Sequence, residues 1–231
     1  MRKSGIPHMM PPVTQLEALV GRLGIGNDTH VIVYGSGTGP FDAAETTSIY
    51  LTLKYLGHDM VSILDGGLPA WMDEWSADFD VGTHEPTAAQ FLSNARPELL
   101  ISRSDVETSL TDGTAMIDVR SHDMFMGVNR AWMLTRSGTI PNALNLPMSW
   151  LTENAGLKFR NPEQLERLFT AVGAPTKGKV ILFCNAGLES SMGWFAAHEL
   201  LGMDEAVLYD GSLAEWTKDD TLPLTKHVEF Q

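Results

Sequence analysis

Short apolar runs alternate with longer amphipathic stretches along most of the chain. His30-Val-Ile-Val-Tyr34, Val61-Ser-Ile-Leu-Asp65, Ala115-Met-Ile-Asp-Val-Arg120, Val180-Ile-Leu-Phe183 and Ala206-Val-Leu-Tyr-Asp210 are short, largely apolar runs of four to six residues. Runs of that length bounded by turn residues read as strands. The stretch between each pair carries a helical pattern. Asn161-Pro-Glu-Gln-Leu-Glu-Arg-Leu-Phe169 is a further helix, with Asn161 as N-cap and Pro162 at its first position. Strand and helix in alternation predict an α/β fold with parallel strands.

The pattern repeats. His30 to Tyr34, a Gly-rich loop, a helical run to Leu56-Gly57 and Val61 to Asp65 form one copy. Lys179 to Phe183, a second loop, a helical run to Leu201-Gly202 and Ala206 to Asp210 form the other. Both close on Asp-Gly-x-Leu-x-x-Trp, ending at Trp71 and Trp216. Agreement of strand, loop, helix, strand and signature argues for a duplicated unit. The second copy has more sequence ahead of its loop: Asp118-Val-Arg120 closes a strand, and Ser137-Gly-Thr-Ile-Pro141 makes a turn before a short extended segment. In the first copy, Ser4-Gly-Ile-Pro7 matches that turn and Val13 to Leu23 matches the helix ahead of the strand, while an Asp-x-Arg strand is missing. The expected domains are residues 1–85, lacking first strands and cysteine, and residues 86–231, with the polar stretch 83–96 as connection. Half a parallel sheet exposes apolar surface, so monomer and dimer both stand open.

The second loop holds the only cysteine in the 231 residues, Cys184. It lies where a strand feeds a helix, in Cys184-Asn-Ala-Gly-Leu-Glu-Ser190-Ser. Backbone N–H groups and the helix start can hold an anion there and lower a thiol pKa. A buried inert thiol is the competing reading. Gly187 permits a positive φ or close approach of an anion. Ser190 and Ser191 either donate to the sulfur or cap the helix.

Composition narrows the options. A net charge of −13 argues against nucleic acid and against an anionic membrane surface. One cysteine excludes an intrachain disulfide and a cysteine-rich zinc site. None of the seven histidines forms a His-x-x-x-His pair, so no metal is expected. No apolar run reaches the roughly 18 residues of a membrane span. Met1-Arg-Lys-Ser-Gly-Ile-Pro7 has no apolar signal segment, which makes a cytoplasmic location the expectation, with a start further upstream left open.

Together, Asp118-Val-Arg120, Ser137-Gly-Thr-Ile-Pro141, the Cys184 loop and the doubled Asp-Gly-x-Leu-x-x-Trp resemble the rhodanese family of sulfurtransferases in its tandem two-domain form. The resemblance implies two rhodanese-like domains with parallel sheets flanked by helices, the N-terminal one incomplete, and a cleft between them at Cys184. It implies thiosulfate sulfurtransferase activity through a Cys184 persulfide, with 3-mercaptopyruvate as the next donor. A thiol or cyanide accepts the sulfur, a thioredoxin-type protein being one candidate, and no cofactor is needed. Carried onto this chain, Cys184 is the catalytic residue. Asn185, Ala186, Gly187, Leu188, Glu189, Ser190, Arg120 and Asp118 bind substrate, the first four through backbone N–H groups. Asp118 also reads as a brace for the loop, and Arg120 as either substrate-facing or half of a structural ion pair.

Glu189 and Ser190 stand where relatives often carry Arg, Lys or Thr, and Met124 lies near a substrate-binding Arg of some tandem relatives. A carboxylate at 189 repels an anionic donor unless it points to solvent. A sulfur carrier or a non-catalytic binding module is therefore the alternative function.

Two other readings fall away on residue grounds. Gly35-x-Gly-x-Gly39 is a poor match to a dinucleotide loop, because residue 40 is Pro. A Cys-x5-Arg phosphatase needs an Arg where Ser190 stands. The twelve methionines are scattered and read as core filler. Trp71 and Trp216 are expected to pack inside their domains.

Overall fold

Alternating apolar strands and helices build two parallel sheets in this computed structural model, which describes residues 5–39, 41–75, 82, 83 and 85–229. In chain order the elements are α1 (Val13–Arg22), β1 (Val31–Val33), α2 (Asp42–Tyr55), β2 (Val61–Ile63) and α3 (Gly67–Trp75). There follow β3 (Leu100–Ile101), α4 (Arg103–Asp112), β4 (Ala115–Asp118), α5 (His122–Phe125) and β5 (Leu144–Asn145). The last are α6 (Pro162–Ala171), β6 (Val180–Phe183), α7 (Leu188–Trp194), β7 (Ala206–Tyr209) and α8 (Ser212–Trp216). No helix among the described residues is long and apolar enough to cross a membrane.

The chain divides into two compact units. The C-terminal unit comprises Met1–Met9, Glu98–Ala155 and Phe159–Gln231; the N-terminal unit comprises Met10–Pro97 and Gly156–Lys158. This division differs from the sequence-based one at 85. The stretch after residue 85 is tied to the N-terminal unit: Ala89 N–H donates to Gly21 O, Asn94 N–H to Leu56 O and Arg96 N–H to Tyr55 O. Ser93 adds its N–H and hydroxyl to the Glu17 carboxylate.

The opening residues also change sides. Ser4 lies outside the described residues, but Ile6 is buried in the C-terminal core and Gly5 O accepts from Lys218 Nζ at 3.0 Å. Ile6 therefore serves the second copy's core, not a first-copy turn.

The C-terminal sheet has the order β3-β7-β6-β4-β5, all parallel. Its central strands β6 and β7 are buried at every position, as expected of parallel strands covered on both faces. Ile181, Phe183, Val207 and Tyr209 join Met116, Val106, Ile140, Leu213 and Trp216 in one core cluster. Helix α6 starts where the sequence places it. Asn161 caps α6 in a reciprocal box with Gln164, with Pro162 in its first turn, and Ser102 and Asp105 do the same for α4.

The N-terminal sheet has two strands among the described residues, β1 and β2, paired in parallel. Ile32 is 58% exposed and Tyr34 56%, whereas their repeat partners Ile181 and Phe183 are fully buried. Trp71 is 41% exposed and Trp216 not at all. The expectation that both tryptophans pack inside thus holds for Trp216 alone. Val106, in the core cluster with Trp216, comes from sequence that has no first-copy counterpart among the described residues, and Ile6, the counterpart of Ile140, packs in that C-terminal cluster instead.

Candidate active site

At the C-terminal end of β6 the chain leaves the sheet at Cys184 and turns through Asn185, Ala186 and Gly187 into α7. Gly187 sits at φ +86°, and a Cβ there would lie 3.0 Å from both the carbonyl and a carboxylate oxygen of Asp210. No other residue fits that corner without strain. The helix begins at Leu188, three residues before Ser191, where the helical pattern of the sequence starts, and continues as a π-helical turn over Phe195–Leu200. Glu189 and Ser190 are thus first-turn residues.

Backbone bonds fasten the loop to the start of α8. Cys184 O accepts from Leu213 N–H at 3.2 Å and Asn185 O from Ala214 N–H at 2.8 Å. Cys184 N–H donates to Ser212 Oγ at 3.1 Å, and that hydroxyl donates to Tyr209 O at 2.8 Å while lying 4.0 Å from the sulfur. Ser212 is fully buried and holds φ +47°, a left-handed conformation that costs a non-glycine residue about 1–2 kcal/mol. The first copy carries glycine there, Gly67 at φ +62°. Sequence reasoning missed Ser212, although the Gly-to-Ser change between aligned copies was its visible signal.

Cys184 has no exposed surface. The N–H groups of Ala186 and Ser190 and the Ser190 hydroxyl act on its sulfur and favour the thiolate. They do not win. Burial, with the Glu189 charge second, pushes the thiol above its ordinary range. The sequence-based expectation of a lowered pKa is therefore reversed, because loss of hydration at a fully enclosed sulfur exceeds what the loop donors return.

Side chains around the sulfur are mostly committed. Ser190 Oγ lies 3.0 Å from Gly187 O, and Ser191 Oγ 2.7 Å from Leu188 O, so both serines cap loop carbonyls. Asn185 Nδ2 donates to Glu189 Oε2 at 2.9 Å and reaches Met124 Sδ at 3.7 Å, while Asn185 Oδ1 is buried without a partner. Glu189 is half-buried, and burial raises its carboxyl above the usual range against the Asn185 bond and the Arg120 charge. Ala186 is buried in the C-terminal core cluster, and Leu188 is half-buried.

Asp118 and Arg120 form a buried ion pair, 0% and 1% exposed by side chain. Arg120 Nε bonds to Oδ1 at 2.9 Å and Nη2 to Oδ2 at 2.6 Å, with Nη2 also on Gly138 O at 2.8 Å. Thr139 Oγ1 donates to Asp118 Oδ2 at 2.7 Å, and Asn145 Nδ2 reaches the carbonyls of both Asp118 and Arg120. The geometry ties this pair to the Ser-Gly-Thr-Ile-Pro turn, the structural alternative for Arg120. No group of three or more His, Cys, Asp or Glu side chains suited to a metal ion occurs among the described residues.

The arrangement is a single buried thiol with two backbone N–H groups and one hydroxyl acting on its sulfur. Comparison with known proteins agrees with it. The family model for the rhodanese-like domain matches residues 6–74 and 102–219. A Haloferax volcanii protein provisionally named thiosulfate sulfurtransferase is 34% identical over 206 residues, spanning 87% of this chain and 70% of that protein. Human 3-mercaptopyruvate sulfurtransferase is 28% identical over 93% of this chain and 71% of its own length. Among solved structures, Escherichia coli SseA, described with the rhodanese fold and as a 3-mercaptopyruvate sulfotransferase, superposes at TM-score 0.78 with 27% identity, covering 92% of this chain and 77% of that one. An EanB variant solved with ergothioneine superposes at TM-score 0.79 with 22% identity, and the 95% of this chain that matches spans only 56% of EanB.

Proposed function

The chain belongs to the rhodanese-like domain family, and from that premise we propose that it is a sulfurtransferase which carries sulfane sulfur on Cys184. The observation that carries the reading is the lone thiol enclosed by loop N–H groups at the end of β6. The donor is thiosulfate or 3-mercaptopyruvate, the substrates in the names of the relatives above. With thiosulfate, the Cys184 thiolate attacks the outer sulfur, the sulfur–sulfur bond breaks, and sulfite leaves with the electron pair. With 3-mercaptopyruvate, the carbon–sulfur bond breaks and the pair leaves on carbon as the enolate of pyruvate, which then takes a proton.

In the second half-reaction an acceptor thiolate or cyanide attacks the outer sulfur of the persulfide. Cys184 leaves as the thiolate, ready for another cycle, which makes the scheme ping-pong. Loop N–H groups hold the negative outer sulfur between the two halves. Gly187 and Ser212 keep the loop in shape for this, and the Asp118–Arg120 pair holds the neighbouring turn.

One observation favours a second reading. Cys184 is fully buried, and a thiol that burial holds above its ordinary range reacts slowly near neutral pH, which suits a sulfur carrier discharged only by a specific protein.

Thiocyanate release from thiosulfate plus cyanide, with intact-mass detection of the persulfide, decides between them. Native protein is expected to gain one sulfur atom and turn over; Cys184→Ser is expected to gain none and lose at least about a thousandfold in rate. Loading without turnover by small acceptors selects the carrier. Equal turnover by Cys184→Ser overturns both.

A further inference from the structure

The side chains at the Cys184 loop offer acceptors and almost no donors. No Lys, Arg or His occurs from residue 184 to residue 194. The Arg120 guanidinium is turned onto Asp118 and Gly138. Ser191 lies against Leu188 O, and Ser190 against Gly187 O and the Cys184 sulfur. What remains is the Glu189 carboxylate, braced at one oxygen by Asn185 Nδ2, and the Asn185 carbonyl oxygen, buried with no donor. The carboxylate fixes which end of the amide is which, because only the NH2 end can donate to it. A buried acceptor left unpaired is costly, and an N–H from a bound molecule removes that cost.

Resting on the sulfur-transfer reading above, we propose that Asn185 and Glu189 form a subsite for a cationic N–H group beside the persulfide. The site then favours aminothiols over anionic thiols as acceptors of the sulfur. The acceptor's thiolate attacks the outer sulfur, the sulfur–sulfur bond of the persulfide breaks, Cys184 takes the electron pair, and the product leaves as an amino-persulfide. The ammonium meanwhile pairs with Glu189 and donates to Asn185 Oδ1. Of the other charges acting on Glu189, Arg120 and Asp118 oppose each other, and a cation beside it offsets the burial that otherwise disfavours its charged form.

A charge series of thiols that share a two-carbon spacer between sulfur and end group tests this. The full chain is loaded with thiosulfate and desalted, and discharge by cysteamine, 2-mercaptoethanol and 3-mercaptopropionate is followed by intact mass at low salt. The same series is run on Glu189→Gln, which removes the charge and keeps an acceptor for Asn185. Taking 2-mercaptoethanol as reference within each protein cancels intrinsic thiol reactivity. The native protein is expected to favour cysteamine, and to disfavour 3-mercaptopropionate, by about tenfold more than the variant does.

If the variant fails to fold, salt on the native protein gives the same reading. The cysteamine rate should fall, and the 3-mercaptopropionate rate rise, as ionic strength increases. Identical relative rates in both proteins, or native rates in which salt leaves the series unchanged, overturn the subsite and leave the sulfur-transfer reading standing. A native chain that takes up no sulfur overturns the sulfur-transfer reading itself, and the subsite with it.

Discussion

The loops after β1 and β6 begin from the same backbone and end with opposite chemistry. Leu68 N–H donates to Gly35 O at 2.9 Å in one copy, and Leu213 N–H to Cys184 O at 3.2 Å in the other, so Gly35 stands where Cys184 does. In the N-terminal copy the cradle is occupied from within. The Asp42 carboxylate accepts Thr38 N–H at 2.8 Å and the Ser36 hydroxyl at 3.2 Å, and the Thr38 bond lowers its pKa. In the C-terminal copy the donors act on a sulfur, and the nearby carboxylate, Glu189, is turned to Asn185. A strand-to-helix turn thus makes an anion cradle whatever the sequence. The occupant decides whether the cradle does chemistry.

That contrast breaks if the first loop can be made to carry sulfur by restoring the thiol alone. Gly35→Cys in a Cys184→Ser background is expected to stay below about one thousandth of native thiocyanate release. A Cβ at Gly35 would lie 3.0 Å from Leu157 Cδ2 and 3.2 Å from Asp42 Cβ, and the Asp42 carboxylate already holds Thr38 N–H and the Ser36 hydroxyl. Turnover by this variant would show that a thiol after any such strand suffices, and that the carboxylate is incidental.

The aligned pair Gly67 and Ser212 sharpens the comparison at the turn that holds each loop. Both are left-handed, at φ +62° and φ +47°, yet only Ser212 supplies an acceptor for the N–H of the loop's first residue. Ser212→Ala keeps the strained φ and leaves the buried Cys184 N–H unpaired, for an expected loss of about 1–3 kcal/mol. Ser212→Gly loses the same bond but relieves roughly 1 kcal/mol of strain, so it should be the milder change. Denaturant unfolding of the two variants measures both. Equal stability of native and Ser212→Ala protein would mean that the hydroxyl holds nothing.

What could be read from sequence was whatever depends on order along the chain. The alternation of Val31–Tyr34 and Val180–Phe183 with helical stretches gave parallel strands, and Asn161-Pro162 marked a helix start that the structure keeps. Side-chain direction was not legible. Asn185 turns its amide to Glu189, the two serines turn to carbonyls, and the Arg120 guanidinium turns inward to Asp118; spacing is blind to all three. Burial failed in the same way. Trp71 and Trp216 occupy one motif position but differ in exposure, because burial depends on what covers the sheet and not on the motif. Complete enclosure of Cys184 likewise turned an expected low pKa into a raised one.

The smallest expected effect concerns that thiol, and it separates the two loops most finely. Asp42 is held below its usual range by the amide it faces, while Cys184 is held above its own despite facing amides too. The difference is burial, since Asp42 keeps water contact and Cys184 has none. Thiolate ultraviolet absorbance, taken as native minus Cys184→Ser protein to cancel the tyrosines, should therefore show a midpoint above the free-thiol value of about 8.5. Glu189→Gln should bring it down, because the Glu189 charge is the second cause of the shift, but not to the free value, because burial is the first. The sign for stability follows from proton counts. Above the unfolded thiol's pKa the unfolded chain has released a proton that the native chain retains, so this group's contribution is full below that pKa and is lost as pH rises toward the folded one. The same loss should be absent from Cys184→Ser. A native midpoint below the free-thiol value would instead put the loop donors ahead of burial, and the two copies would then differ only in which anion they hold.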